Sequence, residues 1–270
     1  ELGDSSGKAE AFHPSPCLPL IAVPTTAGTG SEVTFSSVIT DTRKHFKFTI
    51  KSPKIAPKFA ILDPSLTITM PPLLTAATGI DALTHAIEAY TAKNATPLSD
   101  AYALHAIEYI HRHLPRAWEK GEDLEARKGM LMGSVMAGIA FSHSDVGAVH
   151  CIAEAMGSLY DTPHGICNAV VLPAIMEYNA PFCTHRYARA AEAMGFSFSS
   201  FEEGAQMAFR RIEELVRETG LPAFKTLGIK EEDLEKISKK SAANGSSIHN
   251  PRPMKAEDYR AVLKDLLGRK

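Results

Sequence analysis

The spacing of apolar residues changes at Pro71-Pro72. Ahead of that point they come in short runs. Leu20-Ile21-Ala22-Val23, bounded by Pro19 and Pro24, has the pattern of a buried strand. Val33–Thr40 is rich in β-branched and aromatic residues, Phe46–Ile50 alternates, and Phe59–Pro64 ends on its proline, so three further strands are predicted. Beyond Pro72 the apolar positions recur at helical spacing in Ala-rich segments. These predict helices near 73–91, 97–112, 122–141, 145–158, 165–177, 183–194, 200–219, 230–242 and 255–268. Thr96-Pro97, Asp161-Thr162-Pro163 and Asn250-Pro251-Arg252-Pro253 punctuate them. Residues 1–16, without an apolar period, read as loop. Four strands with hardly a crossover helix do not complete a doubly wound sheet. Residues 1–67 therefore read as an incomplete α/β unit and 68–270 as an all-helical domain.

Composition narrows the chemistry. With 29 Lys and Arg against 31 Asp and Glu, the formal charge of −2 provides no global field for nucleic acid or an anionic membrane. No stretch reaches the length of an apolar membrane span, and the first residues lack the layout of a signal peptide. Cys17, Cys151, Cys167 and Cys183 form no C-x-x-C pair and fit reduced thiols of a cytoplasmic protein. The chain opens on Glu1 rather than Met, so it reads as a truncated chain, a processed chain or a renumbered piece of something longer.

The chemistry concentrates in Gly79–Glu88. On a helix, Asp81 and His85 stand one turn apart on one face and can hold the same ion. His150 and His164 provide two further imidazoles, and one carboxylate with three imidazoles suits iron, zinc, manganese or nickel better than calcium. Such a set fixes an ion while leaving a position for a water or substrate oxygen. Glu154, one turn beyond His150, is placed to orient that ring, bind the ion or relay a proton, or to make a structural ion pair. Glu88 shares the Asp81 face and reads first as a surface glutamate, with a partner to a metal ligand as the alternative; His105, His111 and His113 read as a solvated face, and His143 as a pocket-lining residue. Thr25–Glu32, small and hydroxyl-rich with Gly28 and Gly30, offers donors for a phosphate, a ribose or an amide, although an ordinary tight turn has the same composition.

These motifs, in this order, resemble the iron-dependent (group III) alcohol dehydrogenases, whose members include lactaldehyde, 1,3-propanediol and butanol dehydrogenases. The carrying residues are Val23–Glu32, Met70-Pro71-Pro72, Ala76–Glu88, His150 through His164-Gly165, and Asn250–Pro253. The resemblance implies a dehydroquinate synthase-like, iron-dependent alcohol dehydrogenase fold: an α/β domain binding NAD or NADP, a helical domain holding the ion, and an active site between them. It places Asp81, His85, His150 and His164 at the metal positions and, with Glu154, in the catalytic centre. Thr25, Thr26, Gly28 and Thr29 match the cofactor loop, with Lys47 and Leu66 near the nucleotide. It implies Fe2+ or another divalent metal, a small alcohol or aldehyde substrate, and a homo-oligomer, a dimer. The family's glycine-rich phosphate turn is expected ahead of residue 1, so NAD and NADP are not separable here and weak dinucleotide binding is expected of the chain itself. Many members carry a second His where this sequence has Glu154. Two other readings stay open at this point: a metal-dependent hydrolase, which leaves the Thr25–Glu32 loop unexplained, and a non-catalytic helical module around a structural metal.

Overall fold

The computed structural model describes residues 17–41 and 46–269. The reading of residues 1–16 as loop falls outside them. In the amino-terminal part, β1 (Ile21–Ala22) pairs in parallel with β4 (Phe59–Ala60), while β2 (Ser36–Asp41) and β3 (Phe46–Lys51) form an antiparallel pair with Ser36 opposite Lys51. The ladder of β1 and β4 is carried by the Lys58 N–H on the Leu20 carbonyl and the Ile61 N–H on that of Ala22. The buried strand expected between Pro19 and Pro24 is instead two residues long and open. Leu18 is 91% exposed, Ile21 57% and Phe59 67%. Prolines on either side limit its ladder, and β4 is its one partner among the described residues.

Eight α-helices follow among the described residues: α1 (Pro72–Thr91), α2 (Pro97–Glu119), α3 (Leu124–Ser144), α4 (Ala148–Tyr160), α5 (His164–Ala193), α6 (Phe201–Glu218), α7 (Leu234–Ala242) and α8 (Ala256–Gly268). The two segments expected at 165–177 and 183–194 follow one another without a loop in α5, as two helical stretches separated by a kink at Cys183. Pro181 accounts for the bend, because it lacks an N–H and crowds the preceding turn. Caps set the boundaries: Thr96 with Ser99 closes a capping box on α2, and the Asp123 side chain accepts from the Ala126 N–H on α3. No single described helix is long and apolar enough to cross a membrane.

Helix α1 is the axis of the molecule. From Gly79 to Thr91 every residue is buried, because α2, α3 and α5 all pack on it. Alanine and glycine permit that approach. A Cβ on Gly165 would lie 2.3 Å from the Ala77 carbonyl oxygen, so the first turn of α5 rests directly on the α1 backbone. Helix α4 leaves α3 at 101° through Asp145, whose φ is 68°. The main core joins α1 to the other helices through Ile80, Leu83, Ile107, Met130, Ile152 and Tyr259.

Candidate metal centre

Three helices deliver the donors. Asp81 projects from the middle of α1, His150 from the first turn of α4 and His164 from the start of α5. His164 Nε2 lies 3.6 Å and His150 Nε2 3.9 Å from Asp81 Oδ1, and one donor atom from each of the three residues falls within 4.8 Å of the others. A tetrahedral shell with bonds of about 2.1 Å separates its donors by roughly 3.4 Å, so the triangle needs only small closing movements to hold a divalent ion. His85 stands just outside that span, its Nδ1 4.0 Å from Asp81 Oδ2. The reason is packing: its ring stacks on Phe141 at 4.4 Å and lies 4.4 Å from the His150 ring.

Protonation states suit a cation. Burial drives the His85 imidazole down to about 3, leaving it neutral, and its buried Nδ1 has no hydrogen-bond partner in good geometry although the Gly28 backbone lies close enough to act on its charge. Burial pushes Asp81 toward neutrality, but the surrounding imidazoles and a bond from Asn168 outweigh it and hold the carboxyl below its ordinary range. A buried carboxylate and an unpartnered neutral imidazole nitrogen are the forms that ligate a metal. The donor set therefore fits the group. His164, with its side chain 41% exposed, is the accessible edge.

Glu88 follows the alternative that the sequence ranks second, a partner to a candidate ligand. It is buried, not a surface glutamate. Its Oε2 lies 2.5 Å from His150 Nδ1, and its Oε1 accepts from the Val149 N–H at 2.7 Å. The carboxylate thus caps α4 and accepts from His150 Nδ1–H, a tautomer that leaves the Nε2 lone pair facing Asp81. Burial lowers the His150 pKa, but the Glu88 hydrogen bond and charge more than offset it, and the net shift is upward. The orienting role considered for Glu154 thereby falls to Glu88: Glu154 Oε2 accepts from Asn244 Nδ2 at 2.7 Å and stays outside the donor triangle. Seven-residue spacing from Asp81 was the available signal for Glu88. Asn250, expected only to halt the chain, also accepts from the Ala148 N–H at the same helix end.

The Thr25–Gly30 loop lies over this centre. A Cβ on Gly28 would meet that of Thr78 on α1 at 2.8 Å, and Gly30, at φ 58°, touches Ser134 and Gly138 of α3. Glycine alone allows both contacts. Thr25 and Thr29 are exposed and Thr26 half-buried; Thr29 Oγ1 accepts from the Ser31 N–H. Leu66 is 42% exposed on the turn Pro64–Thr67, which packs on α3, and Lys47 stands in β3 opposite Thr40. The other histidines weighed in the sequence stay out of the site. His105 is exposed as expected, but His111 accepts from Arg211 Nε and the His113 ring fills the space over Gly129, so neither belongs to a solvated face. His143 is exposed and bonds the Ile139 carbonyl of its own helix.

Two family models match the chain: "Fe-containing alcohol dehydrogenase family, C-terminal" over residues 75–267, and "Iron-containing alcohol dehydrogenase" over residues 3–64. The chain belongs to the iron-containing alcohol dehydrogenase family. Among relatives in this family, the NAD-dependent methanol dehydrogenase of Bacillus methanolicus is 41% identical over 93% of this chain and 67% of its own length. The 1,3-propanediol dehydrogenase of Klebsiella pneumoniae is 41% identical over 93% of this chain and 65% of its own. A solved 1,3-propanediol oxidoreductase superposes with a TM-score of 0.92 at 40% identity, covering 94% of this chain and 67% of that one. The chain spans about two thirds of the length of these relatives. Its fold is accordingly the iron-containing alcohol dehydrogenase fold, represented here by a small α/β portion and the helical portion.

Proposed function

We propose that this chain belongs to an enzyme that transfers hydride reversibly between a small primary alcohol or diol and NAD(P), assisted by a divalent metal, Fe2+ or a similar ion. The observation that carries the reading is the convergence of Asp81, His150 and His164, with His85 beside them, beneath the Thr25–Gly30 loop. The NAD-dependent relative supports the cofactor class. We further propose a boundary near residue 67 between the nucleotide-binding and metal-binding portions, a homodimeric cytoplasmic protein, and nucleotide contacts from Thr25, Thr26, Gly28, Thr29, Lys47 and Leu66. The four cysteines, none in a disulfide, agree with a reducing compartment.

In this reading a divalent ion supplies Lewis acidity toward a hydroxyl or carbonyl oxygen, and a nicotinamide ring supplies the hydride acceptor. Asp81 and the three imidazoles would hold the ion, and Glu88 fixes the His150 tautomer. Phe141, stacked on His85, excludes water from the buried side. The exposed edge at His164 leaves an approach for substrate. Glu154 remains a candidate for accepting a proton one turn from His150. The loop's backbone and hydroxyl donors would hold the dinucleotide.

The test measures metal content and NAD(P)H formation with small alcohols and diols in the unaltered protein and in His85→Ala and His164→Ala. Loss of bound metal and of turnover in both variants is expected. Retained metal and turnover would refute the ligand assignment, and activity confined to phosphate esters or amides would favour a hydrolase.

A further inference from the structure

Asn168 lies one turn after His164 on α5 and is 0% exposed. Its Nδ2 is 2.6 Å from Asp81 Oδ1, 3.2 Å from His164 Nε2 and 3.3 Å from His150 Nε2. One amide nitrogen thus lies within hydrogen-bond distance of all three donors of the candidate centre, with two hydrogens to share among them and the shortest contact to Asp81. The assignment of nitrogen and oxygen is dictated by chemistry, because a carboxylate oxygen at 2.6 Å requires a donor opposite it. Glu88 agrees, since by accepting from His150 Nδ1–H it leaves Nε2 as an acceptor. The other end of the amide is unsettled: Asn168 Oδ1 is buried without a hydrogen-bond partner. An orphaned carbonyl oxygen costs about 1–3 kcal/mol in a protein interior.

The lone pairs that face Asn168 Nδ2 are those a cation would take. N–H hydrogens aimed at these atoms oppose an incoming positive charge, so the amide and the ion cannot hold the same three partners together. We propose that the Asn168 side-chain amide is a built-in substitute for the cation: its two N–H hydrogens are shared among Asp81, His150 and His164 when the protein is stripped of metal, and it has to withdraw as an ion binds. Asn168 is then a positioning residue that keeps the three donors together in the stripped protein and lowers metal affinity in exchange. Its donors neutralise part of the Asp81 charge, and its unpaired Oδ1 makes the arrangement easy to give up.

This inference rests on the metal reading above, and one experiment separates their failures. The protein is stripped with a chelator, and Co2+ affinity is measured by chelator competition in the unaltered protein, Asn168→Ala and Asn168→Ser, with Tm recorded for stripped and loaded forms. Asn168→Ala is expected to bind Co2+ about tenfold more tightly, the weight of one hydrogen bond to a charged acceptor lost from the metal-free form alone. Its stripped form should melt lower while its loaded form melts as before, and the Co2+ absorption spectrum should not change. Asn168→Ser, keeping a shorter donor, should fall between. Weaker Co2+ binding in Asn168→Ala, or equal loss of Tm in both forms with unchanged affinity, would overturn the substitute role. Should neither variant fold, the unaltered protein still decides: the Asn168 side-chain N–H resonances must shift on adding Zn2+, and unmoved resonances in loaded protein refute the proposal. Failure of the unaltered protein to take up Co2+ or Zn2+ would sink the metal reading itself.

Discussion

Glu88→Gln tests the most consequential contact in the centre, because the substitution keeps size and shape while replacing one acceptor oxygen by a donor. The carboxylate serves two N–H groups at once, the Val149 backbone at 2.7 Å and His150 Nδ1 at 2.5 Å. A glutamine has one oxygen to offer. If that oxygen stays with Val149, the NH2 group faces His150 Nδ1 and forces the other tautomer, with the proton moved to Nε2 and pointing at Asp81. The lone pair required for an ion is then gone, and loss of such an orienting partner costs about 10–100-fold in metal affinity. If instead the oxygen follows His150, two N–H groups confront each other at the start of α4. A buried donor left unpaired costs about 1–3 kcal/mol, which is roughly 2–10 °C in Tm for a chain of this size.

Neither amide orientation spares both properties. The assay is therefore paired: Co2+ affinity by chelator competition, and thermal unfolding of the stripped protein. At least tenfold weaker Co2+ binding, or a drop of several degrees, is expected. Affinity within twofold of the unaltered protein together with an unchanged Tm would refute the view that Glu88 both caps α4 and selects the His150 tautomer.

Gly165→Ala puts a methyl 2.3 Å from the Ala77 carbonyl, a backbone atom that cannot rotate away, so α5 must lift off α1 and carry His164 from Asp81; bound metal should be lost and the protein destabilised by about 2 kcal/mol or more, read by metal content and circular dichroism. Asp145→Asn removes the ion pair with Lys51, 2.5 Å away. Burial raises the Asp145 pKa, but Lys51, the Val146 N–H and Ser246 outweigh it and the folded value is depressed, so its contribution is complete above the unfolded value and disappears as pH falls through the folded one. The Tm gap between Asp145→Asn and the unaltered protein should hold steady from about pH 5 to 8 and close below about pH 4. Stripping the metal should lower Tm more at pH 8 than at pH 5.5, since protons compete for the imidazoles at the lower pH; equal losses at both would count against histidine ligation.

The helical periodicity of the second part was strong enough to place α1 and α4 and hence the spacing of Asp81, His85 and His150. Where the reading went astray, tertiary packing decided the outcome. Glu88 looked like a surface residue because a helix normally keeps one polar face for water, whereas α1 is enclosed by α2, α3 and α5 and has none to spare. His113 was assigned to solvent because of its charged neighbours, but Gly129 opens a recess for its ring that no local pattern announces. Asn168 was not singled out at all. Its one-turn spacing from His164 is visible in the chain, but its meaning depends on Asp81 arriving from 87 positions away.

The enclosure of α1 also explains why the site can be built without a rigid loop. Asp81, His85 and Glu88 lie on successive turns of a helix whose every neighbour is in contact, so each side chain's direction is set by packing that a ligand does not need to create. The cost falls on charge. Two buried carboxylates, Asp81 and Glu88, must be balanced inside the protein, and Glu88 achieves this through the helix N-terminus and His150. Asp81 relies instead on the imidazoles around it and on the Asn168 amide, which together hold its carboxyl below the ordinary range. A divalent cation bound among Asp81, His150 and His164 would balance the buried carboxylate more directly than neutral donors do, which is the electrostatic ground for the proposed site.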